Sequence, residues 1–291
     1  MNPPIQYIHY GNRNREPDCL LLCQHDDNGR KFFARFLDFS TTCQIDKSLL
    51  EKYVAVERDL GTGYLSHCLA GWISEEGYAV GMVIVQFPRG IIDPNRITEK
   101  SIQNVFDPES SPALAEELRS LHRTTISSIE SMLSQARPSL LLDIHSMAPF
   151  TPQANTESSV QAVKLELGKM EEYLDAWLNP LRRGERRYLD IITKLNDGTT
   201  VGDIKFSAMQ GAELHKAGTL YRFNHPYPTA PEVMTTKYLQ RYPGVAIDVP
   251  KDYLADGPLD ALEINPTKVE QIAIPIVEAV LEYLRTLPNK E

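Results

Sequence analysis

The sequence predicts an α/β protein: a mixed, largely parallel sheet with helices on both faces. Three observations carry this. Short apolar runs such as Cys19-Leu20-Leu21-Leu22-Cys23 and Leu140-Leu141-Leu142 have no polar alternation, as strands covered on both faces require. Longer segments with apolar residues at helical spacing lie between them. Strands alternating with helices close into a sheet covered on both sides.

The elements follow in order. Cys19 to Cys23 is the first clear strand and runs into Gln24-His25-Asp26. Lys52 to Val56 is the second candidate, ending in Glu57-Arg58-Asp59. Leu60-Gly61-Thr62-Gly63 opens a helix over Tyr64–Trp72, and Ala79 to Val85 is the third strand. Leu114, Leu118, Leu121, Ile126, Ile129 and Leu133 mark a helix over 111–135 that Pro138 stops. The strand from Leu140 ends in Asp143-Ile144-His145-Ser146. A second helical pattern covers 158–178, and 188–195 fits strand or helix. Residues 211–231 read as irregular, 261–265 as a short strand, and 267–284 as a closing helix with Thr267 at its N-cap. One domain over 1–291 is expected, with an insertion around 152–205 shaping the pocket.

Composition narrows the function. The 291 residues suffice for a large core, and 42% hydrophobic with 24% charged residues is ordinary for a soluble protein. A net charge of -9 without a basic patch argues against nucleic acid as partner. The one basic cluster, Arg182 to Arg187, reads as a solvated loop or helix end. No apolar run is long enough for a membrane helix, and the first residues lack a signal-peptide core, so a cytoplasmic protein with reduced thiols is expected. The four cysteines form no paired zinc motif.

Chemistry gathers at the strand ends. His25, Glu57, Asp59, Asp93 to Arg96, His145 and Glu263 all stand at or after expected C-terminal ends of strands, the edge at which open α/β sheets bind ligands. Histidine with carboxylate, and no cysteine, suits a catalytic zinc with one open position. His25 and His145 are the imidazole pair, and Asp143 is a candidate partner orienting one of them. Glu263 is the candidate general base. Arg89 and Arg96 are candidates to polarise a carbonyl or clamp a carboxylate. His9, His67, His122 and His215 have no such setting and read as structural or surface groups.

These segments, in this order, resemble the N-formylglutamate amidohydrolase family, related to zinc carboxypeptidases. The strand ending in His25 with Gly29 after it is similar to the family's first histidine loop. Asp59-Leu60-Gly61-Thr62-Gly63-Tyr64-Leu65 resembles its acidic residue opening a helix, and Arg89 with Asp93-Pro94-Asn95-Arg96 resembles its Arg and Asp-x-Asn-Arg motif. Asp143-Ile144-His145-Ser146 matches the second histidine motif and is the most specific segment. Asn224-His225-Pro226-Tyr227 resembles the Asn-x-Pro-aromatic segment that lines the substrate site, and Leu262-Glu263-Ile264-Asn265 the late strand with the catalytic glutamate.

The resemblance implies a zinc-carboxypeptidase-like (phosphorylase/hydrolase-like) fold. It also implies a zinc-dependent hydrolase of an N-formyl or N-acyl amino acid, a small-molecule substrate. His25, Asp59 and His145 would hold Zn2+, Glu263 and Arg89 would be catalytic, and Asn95, Arg96, Asn224 and Tyr227 would bind substrate. The chain departs from the family at Asn28, where a His-x-x-Glu ligand pair needs Glu, so the acid falls to Asp59, with Asp27 and Glu57 as substitutes. It departs again at Pro228-Thr229, where the family has two glycines. The alternatives are a carboxypeptidase-like hydrolase of short peptides and a non-catalytic binding protein on the same scaffold.

Overall fold

The computed structural model describes residues 5–26, 45–153, 164–226 and 228–288. Strands β1 (Ile5–Tyr10), β2 (Cys19–Cys23), β3 (Val80–Val85), β4 (Leu140–Met147), β7 (Leu189–Ile192), β8 (Tyr221–Phe223) and β9 (Gly244–Pro250) form one sheet. Its order is β1-β3-β2-β4-β9-β7-β8. The central strands β3, β2, β4 and β9 are parallel, while β1 and β7 are antiparallel to their inner neighbours. The sheet is therefore mixed and largely parallel, as expected.

Helices cover both faces. Helices α2 (Thr62–Glu75), α5 (Ile204–Lys216) and α7 (Pro266–Arg285) pack on the face that carries Leu21, Leu140, Leu142 and Ile144. Helices α1 (Lys47–Glu57), α3 (Pro112–Ala136), α4 (Met170–Leu178) and α6 (Met234–Leu239) pack on the face of Leu20, Leu22 and Leu141. Side chains alternate across a strand, so Gln24, Asp143 and His145 point to this second face. Leu20, Leu21, Leu22 and Leu140 to Leu142 are fully buried. Each such side chain contributes about 1.5–3 kcal/mol of burial. Gly244 lets β9 lie flush on β4, since a Cβ there would meet the Leu141 carbonyl oxygen at 2.0 Å.

Several local expectations fail. Lys52 to Val56 is not a strand: it lies in α1, whose buried Leu50, Tyr53 and Val54 have helical spacing. The β-branched Val54 and Val56 imitate a strand, and tertiary packing overrides that propensity. Glu57 and Asp59 thus follow a helix. The helix over 158–178 is confined within the described residues to α4. Part of 211–231 is helical, in α5. The ambiguous 188–195 contains the strand β7. Glu263–Ile264 (β11) pairs with Ala255–Asp256 (β10) in a ribbon outside the main sheet. The cap of α7 is Asn265, whose Oδ1 accepts from the Lys268 N–H, and not Thr267. The Arg182–Arg187 cluster includes β6 (Arg183–Arg186), which pairs with β5 (Phe150–Pro152). Arg187 is buried with its guanidinium 5.4 Å from the Trp177 ring centroid. Cys19, Cys23 and Cys68 are free thiols. No described helix is long and apolar enough to cross a membrane.

Candidate metal centre

Two strands and one loop deliver the centre. His25 follows β2 and His145 lies near the end of β4, its neighbour in the sheet. Asp59 sits in the turn between α1 and α2, and local bonds fix it there. Its N–H donates to the His25 carbonyl at 3.0 Å. The Thr62 hydroxyl donates to the Asp59 carbonyl at 2.9 Å. Gly61, with φ of 92°, makes the left-handed turn that opens α2. Asp26 accepts from Gly63 N–H (2.7 Å) and Arg58 Nε (2.8 Å), tying the start of α2 to the segment after β2.

The result is a buried three-residue cluster, His25, Asp59 and His145, whose donor atoms lie within 4.8 Å of one another. His25 Nδ1 is 2.9 Å from Asp59 Oδ2, His145 Nδ1 is 3.3 Å from the same oxygen, and the two Nδ1 atoms are 3.1 Å apart. The far side of each ring faces an acid. His25 Nε2 lies 3.0 Å from Asp93 Oδ1. His145 Nε2 lies 3.1 Å from Asp143 Oδ1, an ion-pair contact rather than a well-aligned hydrogen bond. A carboxylate behind Nε2 holds the proton on that nitrogen and turns the Nδ1 lone pair inward, as behind metal-binding imidazoles. Two imidazole nitrogens and one carboxylate oxygen converging on a point fit a divalent cation with one position open. Both Nδ1 atoms also lie within hydrogen-bond distance of Asp59 Oδ2, an acceptor that a cation or a ring N–H satisfies equally.

Charge is arranged to keep the acids ionised. Burial pushes the Asp59 carboxyl up, but Arg89 and His25 outweigh it and hold Asp59 well below the usual carboxylate range. Arg89 Nη1 donates to Asp59 Oδ1 at 3.0 Å, and the guanidinium also lies 3.8 Å from Asp93 and from Glu57. Asp93 and Asp143 are likewise lowered against their burial, Asp93 by His25 and Arg89, Asp143 by His145. Burial depresses His145, yet Asp143 and Asp59 raise it well above an ordinary histidine.

Of the remaining expected site residues, some join this cluster and some do not. Arg96 Nε lies 3.5 Å from Asp93, and the Asn95 N–H donates to Asp93 Oδ1 at 2.8 Å. Glu57 accepts a short bond from the Tyr173 hydroxyl. Asn224 sits elsewhere, with φ of 56°, its Oδ1 accepting from Thr193 N–H (2.7 Å) and Lys194 N–H (2.8 Å). It fastens the end of β7. Tyr227, Asp27 and Asn28 lie outside the described residues. Glu263 is exposed on the β10–β11 ribbon, opposite Asp256 and away from the cluster's bonds. Its flanking apolar residues imitate a sheet strand, but two residues of pairing do not carry it into the core sheet.

The acid that the sequence leaves unmarked is Asp248. It lies on β9, directly beside His145 in register and on the same face. Its Oδ1 is buried without a hydrogen bond. Burial, and then Asp59, raise its carboxyl to about 6. The signal was a lone acid in Val245-Ala246-Ile247-Asp248-Val249, an apolar run matching the segment around Asp143. Three residues on, Lys251 is buried, donates to the Val56 carbonyl at 2.6 Å, and is lowered to about 8, chiefly by burial. A cavity opens at this end, lined by Phe150, Trp177, Arg183, Lys251 and Leu262 among others.

An N-formylglutamate amidohydrolase from Ralstonia eutropha superposes with a TM-score of 0.58 at 13% identity, over 98% of this chain and 99% of that one. This chain shares its fold. A gene product of Agrobacterium tumefaciens gives a TM-score of 0.61 at 17% identity, covering 97% and 95% of the two chains. A metallo-carboxypeptidase from Burkholderia cenocepacia gives 0.44 at 12% identity, over 96% of this chain and 61% of that one. No protein-family model and no curated protein matches the sequence.

Proposed function

We propose that this chain is a zinc-dependent hydrolase of the amide bond of an N-formyl or N-acyl amino acid, with N-formylglutamate as the model substrate. One observation carries it: two imidazole Nδ1 atoms and Asp59 Oδ2 converge, each ring backed by its own acid. His25, Asp59 and His145 would hold the ion. Bound there, zinc would supply Lewis acidity to the substrate carbonyl and lower the pKa of water toward neutrality.

The chain's own groups supply the rest. Asp248, with an unpartnered Oδ1 beside His145, is the base: it accepts the proton of the attacking water and hands it to the leaving amine. It takes the role that the sequence assigned to Glu263, which stands exposed on the β10–β11 ribbon. Arg89 holds Asp59 in place and adds positive charge where the carbonyl oxygen becomes anionic. Arg96 and the amide of Asn95 bind the substrate carboxylate. The cavity by Trp177 and Lys251 takes the substrate side chain.

The test pairs metal content with turnover. Zinc-loaded protein is expected to retain about one zinc per chain, the capacity of one closed set of three ligands, and to release glutamate from N-formylglutamate faster than it cleaves dipeptides. Dipeptides as the better substrates would support the carboxypeptidase-like alternative, and a chain that retains no zinc would overturn the proposal.

A further inference from the structure

Asp143 is wholly buried and crowded with partners. Gln24 Nε2 donates to both of its oxygens at 3.1 Å. The Thr235 hydroxyl reaches Asp143 Oδ2 in a short bond. That same hydroxyl is 2.9 Å from Asn95 Oδ1, which also accepts from the Thr235 N–H at 2.9 Å. A threonine hydroxyl has one proton to donate. Both neighbours are acceptors, and an ionised carboxylate is the stronger one. The proton therefore goes to Asp143, and the backbone N–H at the start of α6 is left to hold Asn95 Oδ1. This fixes the Asn95 amide: its oxygen faces α6, and its Nδ2 faces away as a donor.

One residue thus touches two functions. Asp143 stands behind His145, and Asn95 stands two residues after Asp93, which stands behind His25. We propose that Thr235 is a positioning residue whose hydroxyl locks Asp143 against His145 while its backbone N–H holds the Asn95 amide with Nδ2 toward substrate. The role rests on the metal-centre proposal above, and it adds a device that the ligands alone do not contain. Thr235 is buried at the first turn of α6.

The experiment measures zinc affinity by chelator competition, together with kcat and KM on N-formylglutamate and the melting temperature. Full-length Thr235→Val keeps the shape and removes the hydroxyl. Its zinc affinity is expected to fall toward the lower end of the about 10–100-fold that losing a partner behind a metal ligand costs, because Asp143 itself remains. Thr235→Ser is expected to restore it. Asn95→Ala is expected to raise KM while zinc affinity stays at the wild-type value, because Asp143 keeps its donors. If Thr235→Val does not fold, Thr235→Ala, which removes the hydroxyl without adding bulk, takes its place. Unchanged zinc affinity in a folded variant overturns the inference, as does a serine variant no better than valine. Wild-type protein that binds zinc but leaves N-formylglutamate intact sinks the substrate assignment alone, and the affinity comparison still decides the role of Thr235.

Discussion

The Nδ1 atoms of His25 and His145 stand 3.1 Å apart and share Asp59 Oδ2 as a neighbour, although 120 positions separate the two residues in the chain. Two imidazole nitrogens that close to one carboxylate oxygen suit either a ring proton donated to Asp59 or a cation held by all three. From this contact the behaviour of the centre can be predicted.

Asp248→Asn removes the base and leaves all three ligands. Loss of about 10²–10⁴-fold in kcat is expected, with zinc retained. Glu263→Gln is expected to leave the rate unchanged. Steady-state kinetics on the two variants decides between the carboxylates, and a large loss in Glu263→Gln would return the role to Glu263.

Metal-free protein should show a pH window set by its charges. Asp59 and Asp143 have depressed values, so their contribution is present above the unfolded carboxylate value of about 3.9 and disappears as pH falls through the folded values. His145 is raised, so its contribution is present below about 6.5 and disappears as pH rises through its folded value. Zinc must displace the His145 proton, so zinc affinity is expected to climb with pH across neutrality. Denaturation and chelator titrations over pH would reveal a flat response if His145 does not carry that proton.

Asp93→Asn exchanges the acid behind His25 for a neutral amide. Zinc affinity is expected to drop about 10–100-fold with the fold intact. Circular dichroism alongside chelator competition separates that outcome from simple unfolding.

Arg89→Met strands Asp59, Asp93 and Glu57 without their shared cation. Breaking a fully buried ion pair costs about 3–5 kcal/mol, and the loss here is expected to be smaller because Arg89 is only half-buried. The metal-free variant is expected to melt well below the wild type, and zinc, itself a cation beside Asp59, to recover part of the loss. Equal melting temperatures for the two metal-free proteins would count against the charge balance described.

Gly244→Ala forces a methyl into the Leu141 carbonyl and is expected to destabilise the β4–β9 pairing that sets Asp248 beside His145. Thermal melts would register it.

The sequence alone determined the sheet type and marked the two histidines of the candidate metal cluster, and it named Asp59 for the third place with Asp27 and Glu57 as substitutes. Cys19 to Cys23 and Leu140 to Leu142 are uninterrupted apolar runs that are strands buried on both faces, and a polar residue tolerated at the end of such a run needs a reason to be there; His25 and His145 announced themselves in that way. The same rule would have exposed Asp248, had the run Val245 to Val249 been recognised as a strand. Tertiary structure decided the remainder. Asp59 follows a helix and reaches the histidines only because the turn joining α1 and α2, which cover opposite faces of the sheet, is tied to the end of β2 by its bond to the His25 carbonyl. Glu263 looks like a strand-end acid in the sequence, yet its two-residue pairing with β10 leaves it in solvent. Asp93, a turn former by composition, becomes the partner of His25 across 68 positions. Local pattern reports burial and period, whereas which polar groups face one another depends on strand order and helix packing, and no window of the chain contains those.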